Sequence, residues 1–402
     1  MWGPSLIGIA LLLTCVNSIL TMGLPTFSSS KDNQVTSLRY VYAFFRHGIR
    51  APLYEPYPSD ENKQKFHHIF EKLGILTKAG KEEMYEVGKE LSKIYGSLVQ
   101  DYSEDKVRAS STEKTRTIMS ALSVMAGLFP PKKPILKDLK WQPIPIWTDT
   151  REFDKVYFYN DPDFPQLALK ECPRFGKMIQ KGVDVIKAQD KDTSRAPIYK
   201  LLQLHTQRQD INSIDTAYEI FDVLEFENLN GLRLPVWATK PRREFGKKRL
   251  YPDLMRPIMV DWFYKTQWLD RDPLMLLFYS GPLLNSIYNQ FELKKAGKTE
   301  ELFRYHNTHD DTILTLRWAL GFDDPGFEVQ AGDGMAFELH EENGVFTVQV
   351  VYYHSLQRNN RSAFREVLHL RDCPSPCTFD KFFEAYERWT PEKWERECHI
   401  PS

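Results

Sequence analysis

Two short stretches bring together residue types that can do chemistry in company. The first is Arg46-His47-Gly48-Ile49-Arg50-Ala51-Pro52, an imidazole set between two guanidiniums and closed by a stiff proline. A planar guanidinium grips two oxygens of a phosphoryl group at once, and a neutral imidazole can attack phosphorus. Arg46 and Arg50 disfavour a third positive charge beside them. They should therefore lower the His47 pKa and keep its ring neutral in mildly acidic solution. Gly48 is expected to let the backbone turn tightly against the ligand. The bland alternative, a strand running into a basic turn, leaves the length and order of the motif without a reason.

The second stretch is His306-Asn307-Thr308-His309-Asp310-Asp311-Thr312. Phosphoryl transfer needs an acid to protonate the departing alkoxide, and a carboxylic acid suits a pH below neutral. A lone His-Asp pair is usually a cap or surface feature. Beside the first motif it gains a role. Asp311 is the natural N-cap of the helix that follows, which leaves Asp310 free.

Both stretches need rigid mounts. Leu38 to Phe45 is an aromatic and apolar run with little polar interruption, and it reads as a strand buried on both faces. Its motif then lies beyond the carboxyl end, where open α/β sheets place ligands. Leu302-Phe303-Arg304-Tyr305 is strand-like, and Ile313, Leu316, Trp318 and Leu320 fit a buried helix ended by Gly321. Residues 76–98 form an amphipathic helix, with Met84, Val87, Leu91, Ile94 and Leu98 on one face. A short strand, Lys106 to Ser111, leads into a helix over 111–128, where Ser110 and Glu113 have capping-box spacing and Pro130-Pro131 ends the run. Asn343-Gly344 followed by Val345 to Tyr353 predicts a hairpin at a sheet edge, with its register open.

These elements predict an α/β fold: a central mixed sheet flanked by helices, with a helical cap inserted in the middle of the chain. The expected divisions are a signal peptide at 1–18, a first core part at 37–148, a mainly helical cap at 149–290, a second core part at 291–372, and a disulfide-tied segment at 373–402. Within the cap region, Leu201 to Phe226 is mainly helical, and the basic run Lys240 to Arg249 is read as a solvated face.

The sequence Arg46-His47-Gly48-Ile49-Arg50-Ala51-Pro52 fits Arg-His-Gly-x-Arg-x-Pro at all five fixed positions, and here the chain resembles the histidine acid phosphatases. The resemblance covers most of the mature chain. It implies that His47 is the nucleophile, that Asp310 is the proton donor, and that Arg46, Arg50 and His309 bind phosphate. No cofactor or metal is implied, and a homodimer is expected. The pattern breaks at one place. Arg116-Thr117-Ile118-Met119-Ser120-Ala121 is similar to a family helix, and counting back from it puts Ser110 where relatives have a further phosphate-binding arginine. Arg108, two residues earlier on the same strand face, either substitutes by reaching along the strand or, the favoured reading, is solvated. Insect members, venom acid phosphatases among them, look similar in this stretch.

Composition sets the remaining limits. At 402 residues and 42% hydrophobic content, the chain can bury a sizeable core, and a net charge of −1 gives no general field to attract nucleic acid or an anionic membrane. Residues 5–16 are a short apolar run of signal-peptide type, too brief to span a bilayer, so the chain is read as secreted. Cys15 leaves with that segment. The remaining Cys172, Cys373, Cys377 and Cys398 allow three pairings. The tight Cys373-Pro-Ser-Pro-Cys377 turn favours a local bridge, which leaves Cys172 for Cys398. The resemblance supports that pairing, and a zinc site is the less favoured rival. Asn360-Arg361-Ser362 is a glycosylation sequon.

Small phosphate monoesters are thus the expected substrates. The His309-Asp310 pair argues against a mutase-like relative, and the low cysteine count argues weakly against a phytase. A secreted ligand-binding protein with weak or lost catalysis is the non-enzymatic alternative, kept open by Ser110.

Overall fold

Strand β1 (Leu38–Arg46) is buried along almost its whole length, as its aromatic and apolar run with little polar interruption predicts. Alternation decides where each side chain goes. Tyr40, Tyr42 and Phe44 enter one core, while Val41, Ala43 and Phe45 enter another on the opposite face. The computed structural model describes residues 37–133, 137, 139–148, 172–189, 193–266, 272–322, 327–356 and 364–400. The leader expected at 1–18 and the Asn360 sequon lie outside the described residues, as does the start of the expected cap.

The further strands are β2 (Val107–Ser111), β3 (Ile146–Trp147), β4 (Phe303–Thr308), β5 (Gly334–Glu342), β6 (Val345–Tyr353) and β7 (Arg365–Val367). They form a seven-stranded sheet in the order β3-β2-β4-β1-β5-β6-β7. The pairs from β3 to β1 are parallel, and those from β1 to β7 are antiparallel. The sheet is mixed, as expected. Asn343 and Gly344 both take positive φ (52° and 79°), so the β5–β6 turn forms where the Asn-Gly pair predicts it. The hairpin lies one strand in from the edge, because β7 covers β6. Tyr352 and Tyr353 are both buried, one in each core.

Helices α2 (Lys78–Tyr95) and α3 (Thr115–Leu128) follow the short α1 (Lys63–Ile69) and cover one face of the sheet. The described chain between β3 and β4 carries α4 (Pro173–Gln189), α5 (Ala196–Thr206), α6 (Ile214–Leu229), α7 (Met255–Thr266) and α8 (Pro273–Lys295). Helices α5 and α6 build a separate apolar cluster with Tyr57 and Tyr251. Helix α8 instead packs on the sheet with α9 (Asp310–Ala319), so residue 290 falls inside a core helix. After β7 come α10 (Phe379–Ala385) and α11 (Pro391–Cys398). Disulfides join Cys172 to Cys398 and Cys373 to Cys377, with Cα–Cα distances of 4.6 and 5.3 Å. The first ties the start of α4 to the end of α11. The basic run Lys240 to Arg249 is largely exposed, with Arg242 paired to Glu244 and Arg249 to Asp253.

Two local expectations fail. No capping box forms at Ser110, because that residue still belongs to β2; helix α3 starts at Thr115, with Lys114 in the N-cap position and no side-chain cap. Nor is Asp311 the N-cap of α9. His309 holds that position, and the Asp311 carboxylate turns instead to the Thr312 amide at 2.7 Å.

Candidate active site

Strands β1 and β4 are parallel neighbours with Arg46 opposite Thr308. Their carboxyl ends therefore deliver Arg46-His47 and His309-Asp310 to one place. The His47 amide donates to the Thr308 carbonyl at 3.0 Å, and the two imidazole centroids are 5.5 Å apart at 76°. The motifs read separately in the sequence thus form one site.

Gly48 makes a close approach that the sequence does not show. A Cβ there would meet the Gly80 carbonyl oxygen at 2.6 Å, and a Cβ on Gly80 would lie 2.0 Å from the Ile49 carbonyl oxygen. These two glycines let the first turn of α2 press against the motif backbone, so the close approach is to a helix. From that helix the buried Glu83 accepts from the Ile49 amide at 3.2 Å and from Ser355 Oγ at 3.0 Å. Burial pushes the Glu83 carboxyl up to about 7. The Gly48 amide donates to Ser120 Oγ on α3 at 3.1 Å. The motif is braced from two helices.

The bracing orients His47. Its Nδ1 lies 2.8 Å from the Gly48 carbonyl oxygen, which only accepts, so Nδ1 carries the proton. In a neutral ring, Nε2 then keeps its lone pair. The ring is neutral: burial first, then the charges of Arg116 and Arg46, hold the His47 pKa well below the usual histidine range. The expected shift is present, and its largest charge contribution comes from Arg116.

The arginines hold different commitments. Arg46 donates to the Val329 carbonyl at 2.5 Å and pairs with Asp310 Oδ2 at 2.9 Å. Arg50 is buried, stacked 3.6 Å over the Phe226 ring, and paired through Nη2 with Asp222 Oδ1 of α6 at 2.5 Å. Its guanidinium is therefore tied to the helical region as well as facing the site. Arg108 is exposed and lies 5.2 Å from the centre of the Trp147 ring, so it stays on the solvated side. Ser110 is engaged elsewhere too, with its Oγ 2.9 Å from His306 Nδ1. Burial and the Arg304 charge lower the His306 pKa to about 3.

His309 is held from two sides. Arg116 Nη2 lies 3.3 Å from its Nδ1, and Thr112 Oγ1 lies 3.1 Å from its Nε2. Arginine only donates, so Nδ1 accepts and Nε2–H donates to Thr112, which in turn donates to Thr117 Oγ1 at 2.9 Å. Burial, then Arg116, holds the His309 pKa well below its usual range. Sequence reasoning gave Arg116 no role beyond its place in a helix pattern. Its signal lies in three dimensions: β2 is the parallel neighbour of β4, so the first turn of α3 rises beside His309.

A family model, the histidine phosphatase superfamily (branch 2), matches residues 37–352. The chain belongs to this superfamily. Among curated relatives, the human lysosomal acid phosphatase is 29% identical over 374 residues, covering 91% of this chain and 81% of that protein. The rat prostatic acid phosphatase is 26% identical, with 94% of each chain covered. Among solved structures, the Citrobacter braakii phytase superposes with a TM-score of 0.62 at 16% identity, covering 91% of this histidine phosphatase and all of the phytase chain. That likeness is one of fold.

Proposed function

We propose that this histidine phosphatase is an acid phosphatase that hydrolyses small phosphate monoesters through a phosphohistidine. The single observation that carries the reading is the posture of His47, whose Nδ1–H is held by the Gly48 carbonyl while Nε2 keeps its lone pair in a ring held neutral by burial and the surrounding cations. Arg46, Arg50 and His309, whose Nε2–H turns from Thr112 to a phosphoryl oxygen, surround the phosphoryl group and stabilise the charge of the transition state. His47 Nε2 forms a bond to phosphorus as the ester P–O bond breaks, and Asp310 gives its proton to the departing oxygen. In the second step the Asp310 carboxylate takes a proton from water. The hydroxide oxygen bonds to phosphorus, the P–N bond breaks, and phosphate leaves with both side chains restored.

Histidine and carboxylic acid work together only if the ring is neutral while the acid holds its proton. The lowered His47 pKa extends the neutral ring into the acid range, which favours catalysis below pH 7. We also place the enzyme outside the cell. Two disulfides belong to an oxidising compartment, and among the described residues no helix is long and apolar enough to cross a membrane. In the same proposal the helices between β3 and β4 cap the site, since Asp222 of α6 reaches Arg50. The test is an assay with p-nitrophenyl phosphate across the acid pH range. Turnover with an acid optimum supports the reading; its absence from folded protein would favour a binding protein.

A further inference from the structure

Arg116 stands apart from every other guanidinium in the site. Arg46 is paired with Asp310 and Arg50 with Asp222. No carboxylate among the described residues pairs with Arg116. Among the described residues its one hydrogen bond to a side chain is donated to the neutral His309 ring, and its Nε is closed off from solvent without a hydrogen-bond partner there. A guanidinium edge left unsatisfied is costly unless something anionic meets it. Its surroundings add to the cost: burial and the charge of Arg50 lower the Arg116 pKa to about 10. After burial, Arg116 is also the charge that most opposes protonation of both His47 and His309. This is a cation held next to the nucleophile, within the field of Asp310 and Asp222 but in direct contact with no carboxylate among the described residues.

We infer that Arg116 is the third phosphate-gripping cation of the site, entering from helix α3 and held in place by His309. The strand positions that could have supplied such a group are occupied otherwise: Ser110 faces His306, and Arg108 stacks near Trp147. The parallel strands β2, β4 and β1 lie side by side, and each then contributes to the clamp from beyond its carboxyl end. The first provides Arg116, the second His309 and Asp310, the third Arg46 and His47. A phosphoryl group has three anionic oxygens, and its binding would bring the missing negative charge to Arg116. The inference deepens the phosphatase reading and rests on it for the reaction, though anion binding alone can be measured without turnover.

The test is calorimetric binding of inorganic phosphate to the full chain, with kcat/KM on p-nitrophenyl phosphate measured alongside. Arg116→Met keeps the length of the stem and removes the charge. It should weaken phosphate binding at least about tenfold and lower kcat/KM about a hundredfold. It should not lower the unfolding temperature, since it also removes a cation repelled by its neighbours. Arg108→Ala, the control, should change both quantities by less than about threefold. Should Arg116→Met not fold, Arg116→Lys replaces it, with a loss of about tenfold expected because the planar fork is gone. Phosphate binding within about threefold of wild type in the folded variant overturns the inference. A wild-type chain that binds phosphate but does not turn over overturns the phosphatase reading alone.

Discussion

Arg50 and Asp222 meet 2.5 Å apart, both buried, and join the loop after β1 to helix α6. Asp222 Oδ2 also accepts from the Leu53 amide at 2.6 Å, so one carboxylate fixes the guanidinium and the chain leaving the motif. Removing one partner of such a pair strands the other charge. Asp222→Asn should therefore cost about 3–5 kcal/mol of stability and also lower kcat/KM, because Arg50 loses its orientation. Denaturant unfolding beside steady-state kinetics checks both. The double variant Arg50→Met/Asp222→Leu should regain much of the stability and none of the activity.

Asp310 rests against Arg46 Nη2 at 2.9 Å, close to the cation that would bind phosphate. A phosphoryl group taking up that guanidinium frees the carboxyl to turn to the leaving oxygen. If Asp310 is the acid, Asp310→Asn harms substrates in proportion to the basicity of their leaving groups. Alkyl phosphates should lose about 10²–10⁴-fold in kcat/KM, which reports the step that expels the leaving group and not the later hydrolysis common to all substrates. p-Nitrophenyl phosphate, whose phenolate departs without a proton, should lose far less. Equal losses on the two substrates would assign Asp310 a purely positional role.

Asp60 and Glu227 form a buried carboxyl pair between the loop after the motif and the end of α6, with Asn62 Nδ2 donating to Glu227 at 3.0 Å. Burial, and then the Asp60 charge, pushes the Glu227 carboxyl up to about 8. The folded state thus keeps a proton that the unfolded chain releases at ordinary carboxylate pH. Stability from this group is full below the unfolded pKa of about 4.3 and is lost as pH rises through the folded value. The wild type should lose stability on the order of a few kcal/mol between about pH 5 and about pH 8, and Glu227→Gln should flatten that slope. Unfolding curves at the two pH values decide it. Such a pair suits a protein that works in acid.

Much of the architecture was legible in one dimension. Leu38–Arg46 announces a strand buried on both faces, because only Arg39 interrupts its aromatic and apolar run before Arg46, and Asn343-Gly344 announces its turn because few residues accept positive φ. The bridges among Cys172, Cys373, Cys377 and Cys398 followed from one tight turn and the remainder. What escaped depends on neighbours far away in sequence. The close approach of Gly48 to Gly80 was not foreseen, because Gly80 sits on a helix that only the fold brings near. Ser110 was read as a helix cap, yet pairing of β2 with β4 holds it opposite His306. Arg116 was invisible as a site residue for the same reason: nothing in the helix pattern shows that the turn carrying it rises beside His309.

The most direct test of the central claim is a rapid quench in alkali, which preserves phosphohistidine, after mixing the enzyme with radiolabelled p-nitrophenyl phosphate. Peptide mapping should find the label on His47 at Nε2, the nitrogen left free by the Gly48 contact. Folded His47→Ala should carry no label and retain less than about 1% of wild-type turnover. Substantial turnover in that variant, or an active wild-type enzyme that never carries label on His47, would contradict the covalent mechanism.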